Sequence, residues 1–301
     1  MAALGGPHSQ GPGEQGPGGL ALRSVSATAR ADDGRQVGYE VWGDPASGLA
    51  VIVHCHGSPG SRLPTYPVDM PDGFVHVALD RPGYGLSDPK PGRRMADHAD
   101  DVARVLAELE VERFSVFGWS GGTGPALSLA ARLPQRVRRV VVGGGRSPVD
   151  SEVFEPQVRE EILGNPDKNR EDCEQFARDF VSNPERFLDG MSERLPPQDR
   201  EAFEALRPRF RASWSEGFRQ GGEGFFEDDM QLASPWGFDL ADVRCEVQLW
   251  HGEADAMVPV AHGRWLAERL PRCTAHVVAG ESHGSLQRLL PEMCAWLAAS
   301  A

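Results

Sequence analysis

The sequence predicts an α/β fold in which helices cover both faces of an open sheet. Two apolar runs, at 49–54 and 74–79, are continuous instead of alternating, which is typical of strands that are buried on both faces. The segment 94–110 carries its apolar residues at helical spacing. Polar, glycine-rich loops follow several strands, and ligand sites of open α/β sheets lie at the carboxyl ends of their strands.

Composition limits the kinds of partner. The chain has 301 residues, 40% of them hydrophobic, which is enough for one large domain or a domain with an insertion. Its net charge of −13 argues against nucleic acid and anionic membranes, and no run of about 18 apolar residues is present to span a bilayer. The five cysteines have no CxxC spacing, and no secretory signal is visible. We therefore expect reduced thiols and a cytoplasmic protein.

The elements follow one another in a regular order. Residues 1–20 are rich in Gly, Pro, Gln and Ser, and we expect a disordered tail there. Strand-like runs at about 22–30 and 36–42 flank Asp33-Gly34, which is a hairpin turn signal. The later predicted elements are strands at 49–54, 74–79, 114–117, 137–142, 245–250 and 275–278 and helices at 94–110, 121–132, 260–270 and 286–297.

The strand at 114–117 runs directly into Gly118-Trp119-Ser120-Gly121-Gly122 and then into a helix. This Gly-x-Ser-x-Gly pattern, between a strand and a helix, predicts a sharp turn that exposes a serine hydroxyl. Glycine at 118 and 122 relieves steric crowding in such a turn. We predict Ser120 as a nucleophile, the backbone N–H of Gly121 as an oxyanion donor and Trp119 as a substrate contact.

Residues 150–235 change in character, being rich in Glu, Asp, Arg and Phe without an apolar strand. Their short helical patterns are broken at Asn165-Pro166, Asn183-Pro184, Pro196-Pro197 and Pro208. We predict a helical cap at 148–236, inserted into a core domain formed by 21–147 and 237–301. We expect its acidic residues to form a solvated face, with binding of a substrate amine as the alternative. These acids are Glu152, Glu155, Glu160, Glu161, Glu227, Asp228 and Asp229.

A serine hydroxyl needs a general base, which should be a histidine oriented by a buried carboxylate. In the chain order Ser…Asp…His, with each residue at the end of a strand, the candidates are Ser120, Asp255 and His283. Among nine histidines, His283 is favoured because it follows the last strand. Glu253 and Asp150 stay open as alternatives to Asp255.

The loop His56-Gly57-Ser58 follows the strand at 49–54, and we predict the N–H of Ser58 as the second oxyanion donor. His54 and His56 point to the same side of a strand, an arrangement that can bind a metal. No carboxylate or third histidine follows at metal-ligand spacing, so we predict no metal site. We interpret Cys55 as a buried small hydrophobe and Asp80 as a brace for its loop.

Five motifs together resemble the α/β-hydrolase superfamily: HGSPGSR at 56–62, DRPGYGLSD at 80–88, GWSGG at 118–122, HGEADAMVP at 251–259 and GESHGS at 280–285. The resemblance covers about 22–300. It implies a mostly parallel eight-stranded sheet with helices on both faces and a cap after the sixth strand. It also implies hydrolysis of an ester or related acyl bond through an acyl-enzyme, without a cofactor.

Differences from subfamilies narrow the expected function. Epoxide hydrolases and haloalkane dehalogenases of this fold use an aspartate nucleophile, so we set their reactions aside. Proline iminopeptidases share the HGxPG loop, but they carry a second glycine where Ser58 stands and a GGSWG-type elbow. The leading hypothesis is a serine hydrolase, carboxylesterase-like or lipase-like, acting on a small-molecule acyl substrate. The alternatives are an acyltransferase or thioesterase of a biosynthetic pathway, a proline-iminopeptidase-like peptidase, and a non-catalytic ligand-binding protein. The sequence leaves the oligomeric state open.

Overall fold

The computed structural model describes residues 24–65 and 73–299, so the tail expected at 1–20 lies outside the described residues. The strands are β1 (Ser24–Arg30), β2 (Gln36–Trp42), β3 (Ala50–Cys55), β4 (Phe74–Leu79), β5 (Phe114–Trp119), β6 (Val137–Gly143), β7 (Glu246–Gly252) and β8 (Cys273–Val278). They form one eight-stranded sheet in the order β1-β2-β4-β3-β5-β6-β7-β8. The β1–β2 and β2–β4 pairs are antiparallel and the other neighbours are parallel. The predicted fold class is therefore confirmed.

Helices follow most of the strands. The α-helices are α1 (His98–Glu108), α2 (Thr123–Arg132), α3 (Pro156–Leu163), α4 (Pro166–Ser182), α5 (Pro184–Arg194), α6 (Pro197–Gly217), α7 (Glu223–Leu232), α8 (Val260–Arg269) and α9 (Leu290–Ala298). The helices α3 to α7 lie between β6 and β7 in the chain, and we call residues 156–232 the helical segment. Among the described residues, no helix is long and apolar enough to cross a membrane.

The central strands are covered on both faces. Successive residues of a strand point to opposite faces of the sheet. Val53 of β3 packs in one apolar cluster with Leu127 of α2, whereas its neighbour Ile52 packs in another cluster with Leu290 of α9. This burial on two sides explains why the apolar runs of the sequence are continuous. Cys55, at the end of β3, is also buried, and burial raises the pKa of its thiol to about 12.

The helical segment has an apolar cluster of its own. Phe180 and Leu188 are fully buried in it, and many of its ring pairs meet edge to face, such as Phe176 and Phe187 with centroids 4.8 Å apart. Asn165 and Asn183 cap α4 and α5 by accepting backbone N–H bonds. The breaks expected at these two positions and at Pro196-Pro197 are therefore confirmed.

The break expected at Pro208 is wrong, because α6 continues through it to Gly217. Proline inside a helix removes one backbone hydrogen bond and crowds the preceding turn. Aromatic packing on both sides of the proline opposes that effect. Phe203 packs against Phe210 at 5.0 Å between ring centroids, and Phe210 packs against Trp214 at 5.8 Å. Tertiary contacts thus keep the helix continuous where local propensity disfavours it.

Phe180→Ala should lower the free energy of unfolding by about 3–5 kcal/mol, because it leaves a cavity in a fully buried aromatic cluster. Urea denaturation followed by tryptophan fluorescence and far-UV circular dichroism would measure the change. Val181→Ala is the matched control, since Val181 is the next residue of α4 and is 56% exposed. Equal effects of the two substitutions would contradict the packing described for this cluster.

Candidate active site

Ser120 lies immediately after β5 in a strained turn. Its φ of 54° falls in the left-handed region, which is uncommon for a residue other than glycine. The turn brings β5 and α2 so close that side chains at its glycines would collide with the backbone. A Cβ at Gly118 would lie 2.6 Å from the Cβ of Ala126, and one at Gly122 would overlap the carbonyl of Cys55. The two glycines that flank the serine are therefore required by the close approach of β5, α2 and β3.

The structure brings Asp255 and His283 together, although they lie in loops after different strands. His283 Nδ1 is 2.8 Å from Asp255 Oδ2. The other carboxylate oxygen, Oδ1, accepts the backbone N–H groups of Met257 at 2.9 Å and Val258 at 2.8 Å. Burial alone would raise the pKa of Asp255, but the hydrogen bond and charge of His283 lower it below its usual value. The carboxylate is thus fixed in place and stays ionised.

The alternative acids do not reach His283. Glu253 forms an ion pair with Arg264 at 3.3 Å, and both side chains are more than half exposed. Asp150 is exposed as well. Of the three carboxylates that the sequence left open, only Asp255 makes a hydrogen bond to His283 among the contacts of the described residues.

Ser120 and His283 line the same cavity, and so do Trp119 and Ser58. The Trp119 ring meets the His283 ring edge to face, with their centroids 6.1 Å apart. Trp119 and His283 are both nine-tenths or more buried, so the imidazole is shielded from bulk water. A hydroxyl and an imidazole in one shielded cavity are the parts that nucleophilic catalysis needs.

The two predicted oxyanion donors lie side by side. A Cβ built on Gly121 would be 3.0 Å from the backbone nitrogen of Ser58. A Cβ on Gly57 would be 3.7 Å from the Cβ of Ser120, so the loop after β3 lies against the serine. Gly121 belongs to a 3₁₀ turn, 120–122, that leads into α2. Two backbone N–H groups close to a candidate nucleophile form a site where negative charge on oxygen is stabilised.

Asp228 of α7 connects the helical segment to the loop that carries Ser58. Its Oδ2 accepts hydrogen bonds from Ser58 Oγ at 2.5 Å and from Tyr84 Oη at 2.8 Å. Its Oδ1 accepts from Arg81 Nε at 3.0 Å and from Arg93 Nη2 at 2.6 Å. Burial would raise the pKa of Asp228, but the charges of Arg81 and Arg93 hold it well below its usual range. The carboxylate is therefore a buried anion with two cationic partners.

Arg81 completes this connection. Its Nη2 donates to the carbonyl oxygen of Gly57 at 2.9 Å and to Ser58 Oγ at 3.0 Å, and its Nη1 donates to the carbonyl of His56. Three consecutive residues of the loop are thus held by one guanidinium, whose charge Asp228 balances. Asp80 braces the neighbouring loop, as expected, by accepting from the backbone N–H groups of Arg62 and Leu86.

A second aspartate of the helical segment holds the loop that carries His283. Asp199, in the first turn of α6, is 4% exposed and lines the cavity that contains Ser120. Its Oδ1 accepts the backbone N–H of Gly284 at 2.7 Å and of Ser285 at 3.2 Å, and it also accepts from the hydroxyl of Ser282. These three donors surround His283 in the chain, so Asp199 fixes the position of the loop.

Sequence reasoning missed the roles of Asp199 and Asp228. The expected solvated face is wrong for Asp228 and Glu227, which are 8% and 5% exposed. Helical periodicity does not reveal that these carboxylates face loops of the core. A weak signal was available at Arg81, which follows a predicted buried strand closely, because a buried arginine requires an anionic partner.

The histidines considered for a metal site lie in the interior. Burial lowers the pKa of both His54 and His56. His56 Nε2 accepts the backbone N–H of Arg81 at 3.2 Å, and the ring of His54 lies 5.6 Å from that of Phe117. In the two stretches that the structure describes, no three His, Cys, Asp or Glu residues are grouped so as to hold a metal ion.

The fold and this arrangement of loops define the class of protein. The family model for the alpha/beta hydrolase fold matches residues 50–286, and the chain belongs to that family. The superfamily expected from the five motifs is therefore confirmed.

Two individual relatives are less than 30% identical to this chain in sequence. The chain is 29% identical over 266 residues to the dihydrolipoyllysine-residue acetyltransferase component of the acetoin cleaving system of Cupriavidus necator, covering 84% of this chain and 63% of that protein. It is 25% identical over 228 residues to the serine hydrolase BPHL of Mus musculus, covering 73% of this chain and 66% of the relative. The chain thus spans less than two thirds of the length of both relatives.

Solved structures share the fold. An esterase from Exiguobacterium antarcticum superposes with a TM-score of 0.68 at 20% sequence identity, covering 92% of this chain and 100% of the esterase. Similarity at this level of identity supports the sheet and its flanking helices, and it carries no argument about substrate.

Asp199→Ala should slow the reaction of Ser120 with a fluorophosphonate by a factor on the order of 10–100, because the loop of His283 loses its anchor and the imidazole shifts. Asp199→Asn should have a smaller effect, since the amide oxygen can still accept the two backbone N–H groups. The rate constant of labelling, measured by intact mass, checks both. Glu201→Ala is the control on the same helix because Glu201 is exposed. A rate equal to wild type in folded Asp199→Ala would contradict the positioning role.

Asp229→Asn should stabilise the protein at neutral pH. Burial and the neighbouring Asp228 charge raise the pKa of Asp229 to about 6, from a usual value of 3.8. A carboxyl with a raised pKa favours the folded state while it is protonated, and that contribution is lost as the pH rises through 6. The advantage of the amide should therefore grow by roughly 1–1.5 kcal/mol from pH 5 to pH 7.5. Thermal unfolding at both pH values measures it, and an advantage that is constant or larger at pH 5 would contradict the raised pKa.

Proposed function

We propose that the protein is a serine hydrolase that cleaves an ester or related acyl bond through an acyl-enzyme on Ser120. The observation that carries the proposal is the Asp255–His283 hydrogen bond, whose imidazole lines the same cavity as the strained serine. A carboxylate, an imidazole and a hydroxyl in this chain order are the groups that activate a serine, which supports the proposal. The relation to a serine hydrolase of Mus musculus supports the same chemistry.

The proposed reaction has two halves, formation and hydrolysis of the acyl-enzyme, and both use the same catalytic groups. His283 accepts the proton of Ser120 while Oγ attacks the acyl carbon, and Asp255 stabilises the imidazolium that forms. The N–H groups of Ser58 and Gly121 stabilise the oxyanion of the tetrahedral intermediate. The bond between the acyl carbon and the leaving group breaks, and His283 gives its proton to the leaving group. Water then attacks the acyl-enzyme with the same assistance and releases the acid.

The helical segment is proposed as the cap of this site. It contributes Phe203 and Leu206 of α6 to the cavity that contains Ser120, so it shapes the space available to a substrate. We propose that the cap comprises 148–236 and the core domain 21–147 and 237–301. A cytoplasmic location remains part of the proposal, and all five cysteines are free thiols.

Acyl transfer is the second candidate, and the relation to an acetyltransferase component of Cupriavidus necator favours it. The two activities share the acyl-enzyme and differ only in whether water or another acceptor attacks it. Partitioning of product with increasing concentrations of alcohols or thiols would separate them. Saturable transfer that suppresses hydrolysis would favour the transferase.

Ser120→Ala should abolish covalent labelling by a fluorophosphonate, because it removes the nucleophile. His283→Ala should slow labelling at least about 10³-fold, because the serine loses its general base. Asp255→Asn should also slow labelling, whereas Glu253→Gln is a matched control with an exposed side chain. Intact mass spectrometry counts the adducts, and circular dichroism checks the fold. A single adduct on folded Ser120→Ala, or equal effects of Asp255→Asn and Glu253→Gln, would overturn the assignment.

A further inference from the structure

Ser120 lies at the junction of two cavities. Ser58 and Ser120 line both of them. Their volumes are about 150 and 160 Å³, so the lining and not the size distinguishes them. The reacting carbon of an ester carries an acyl substituent on one side and an alkoxy group on the other, and each cavity can hold one of them.

The first cavity, which we call the apolar cavity, extends between the core and α6. Its walls include Leu195, Phe203, Leu206, Phe210 and Leu290. The one charged side chain of the described residues that lines it, apart from the imidazoles, is Asp199, whose Oδ1 is occupied by the loop of His283. His283 itself lines this cavity, and it is not among the described residues that line the second.

The second cavity, which we call the polar cavity, lies on the Gly121 side of Ser120 and is bounded by α7. Apolar residues complete its wall, but four polar side chains contribute to it besides Ser58 and Ser120: Arg146, Asp228, Asp229 and Gln231. Two of the charges are neutralised internally. Asp228 pairs with Arg81 and Arg93, and Arg146 pairs with Glu155 at 2.5 Å.

Asp229 is different from these two. Among the described residues, no Lys, Arg or His forms an ion pair with it, and its hydrogen-bond partners are neutral: Oδ2 accepts the thiol of Cys173 at 3.6 Å, and the side chain of Asn169 is a second partner. A carboxylate that lines a largely buried cavity without a cation is stabilised by a ligand that brings a hydrogen-bond donor. The polar cavity is therefore suited to a group that carries a hydroxyl or an amine.

The position of His283 fixes which substituent enters which cavity. The general acid must reach the leaving oxygen, so the leaving group lies on the side of His283, in the apolar cavity. The acyl group then remains on the other side of the reacting carbon, in the polar cavity. We infer that the substrate is an ester of an apolar alcohol with a polar acyl group that donates a hydrogen bond to Asp229.

The inference rests on the proposed function and adds the substrate class to it. In the reaction, the ester C–O bond breaks as the bond from Ser120 Oγ to the acyl carbon forms. The Ser120 proton passes through His283 to the departing alkoxide, which leaves as the apolar alcohol. Water hydrolyses the polar acyl-enzyme, so no other reactant is needed.

Two isomeric esters test the orientation. Hexyl acetate and ethyl hexanoate contain the same atoms, and they differ in which side of the carbonyl carries the chain. The value of kcat/KM should be at least about tenfold higher for hexyl acetate, because its chain leaves through the apolar cavity. Equal values, or a preference for ethyl hexanoate, would overturn the inference.

A variant pair tests the two linings. The ratio of kcat/KM for hexyl glycolate over hexyl acetate should fall by about tenfold or more in Asp229→Leu, which removes the acceptor for the glycolyl hydroxyl. Because the ratio is compared between enzymes, the intrinsic reactivity of the esters cancels. Leu206→Asn is the corresponding variant of the apolar cavity. It should lower the ratio of kcat/KM for hexyl acetate over ethyl acetate and leave the ratio for hexyl glycolate over hexyl acetate unchanged. A glycolate ratio that is the same in Asp229→Leu and wild type would overturn the role of Asp229.

Fluorophosphonate labelling separates this inference from the proposed function. Active-site titration of each variant gives the fraction of folded enzyme with a reactive Ser120. Labelling without turnover of any of these esters would overturn the substrate class and leave the activated serine standing. Absence of labelling in folded wild-type protein would contradict the proposed function itself.

Discussion

The tight turn at Ser120 is the constraint on which the rest of the site depends. A residue with a side chain held at φ 54° stores strain of about 1–3 kcal/mol, and it persists only where the surrounding structure fixes it. Here β5 lies in the middle of the parallel strands, and α2 leaves it at once in the opposite direction. The loops after the neighbouring parallel strands end at the same edge of the sheet, so they converge on the serine. Gly144, after β6, shows how close they come, because a Cβ there would lie 3.0 Å from the His283 ring.

Buried charge ties the helical segment to this edge. Asp228, Arg81 and Arg93 are each less than one tenth exposed, and their hydrogen bonds join α7 to loops of the core. Such a group is not a simple source of stability, because desolvation of the ions offsets much of their attraction. Loss of one partner nevertheless costs about 3–5 kcal/mol, since the remaining charge stays buried without compensation. The cluster therefore specifies how α7 docks more than it adds to the free energy of folding.

The sequence predicted most of the sheet and the residues that gather at its edge. Continuous apolar runs and a strand-to-helix glycine pattern depend on local chemistry, and both are readable from neighbouring residues. The hydrogen bond that separates Asp255 from Glu253 depends on which of two nearby carboxylates turns inward, and no periodicity encodes that choice. Pro208 failed as a break because packing of Phe203, Phe210 and Trp214 is a tertiary effect. Asp199 and Asp228 escaped notice for the same reason, since their partners are distant in the chain.

One helix links the positioning of the base to the shape of the apolar cavity. Asp199, Phe203 and Leu206 are four and then three residues apart on α6, so they share a face of the helix. The first holds the loop of His283, and the other two line the cavity beside it. A ligand that displaces α6 outward must also pull the carboxylate away from Gly284 and Ser285. A group too large for the apolar cavity therefore disturbs the imidazole as well as its own binding. In the proposed reaction, the fit of the leaving group and the placement of the base are thus a single structural requirement.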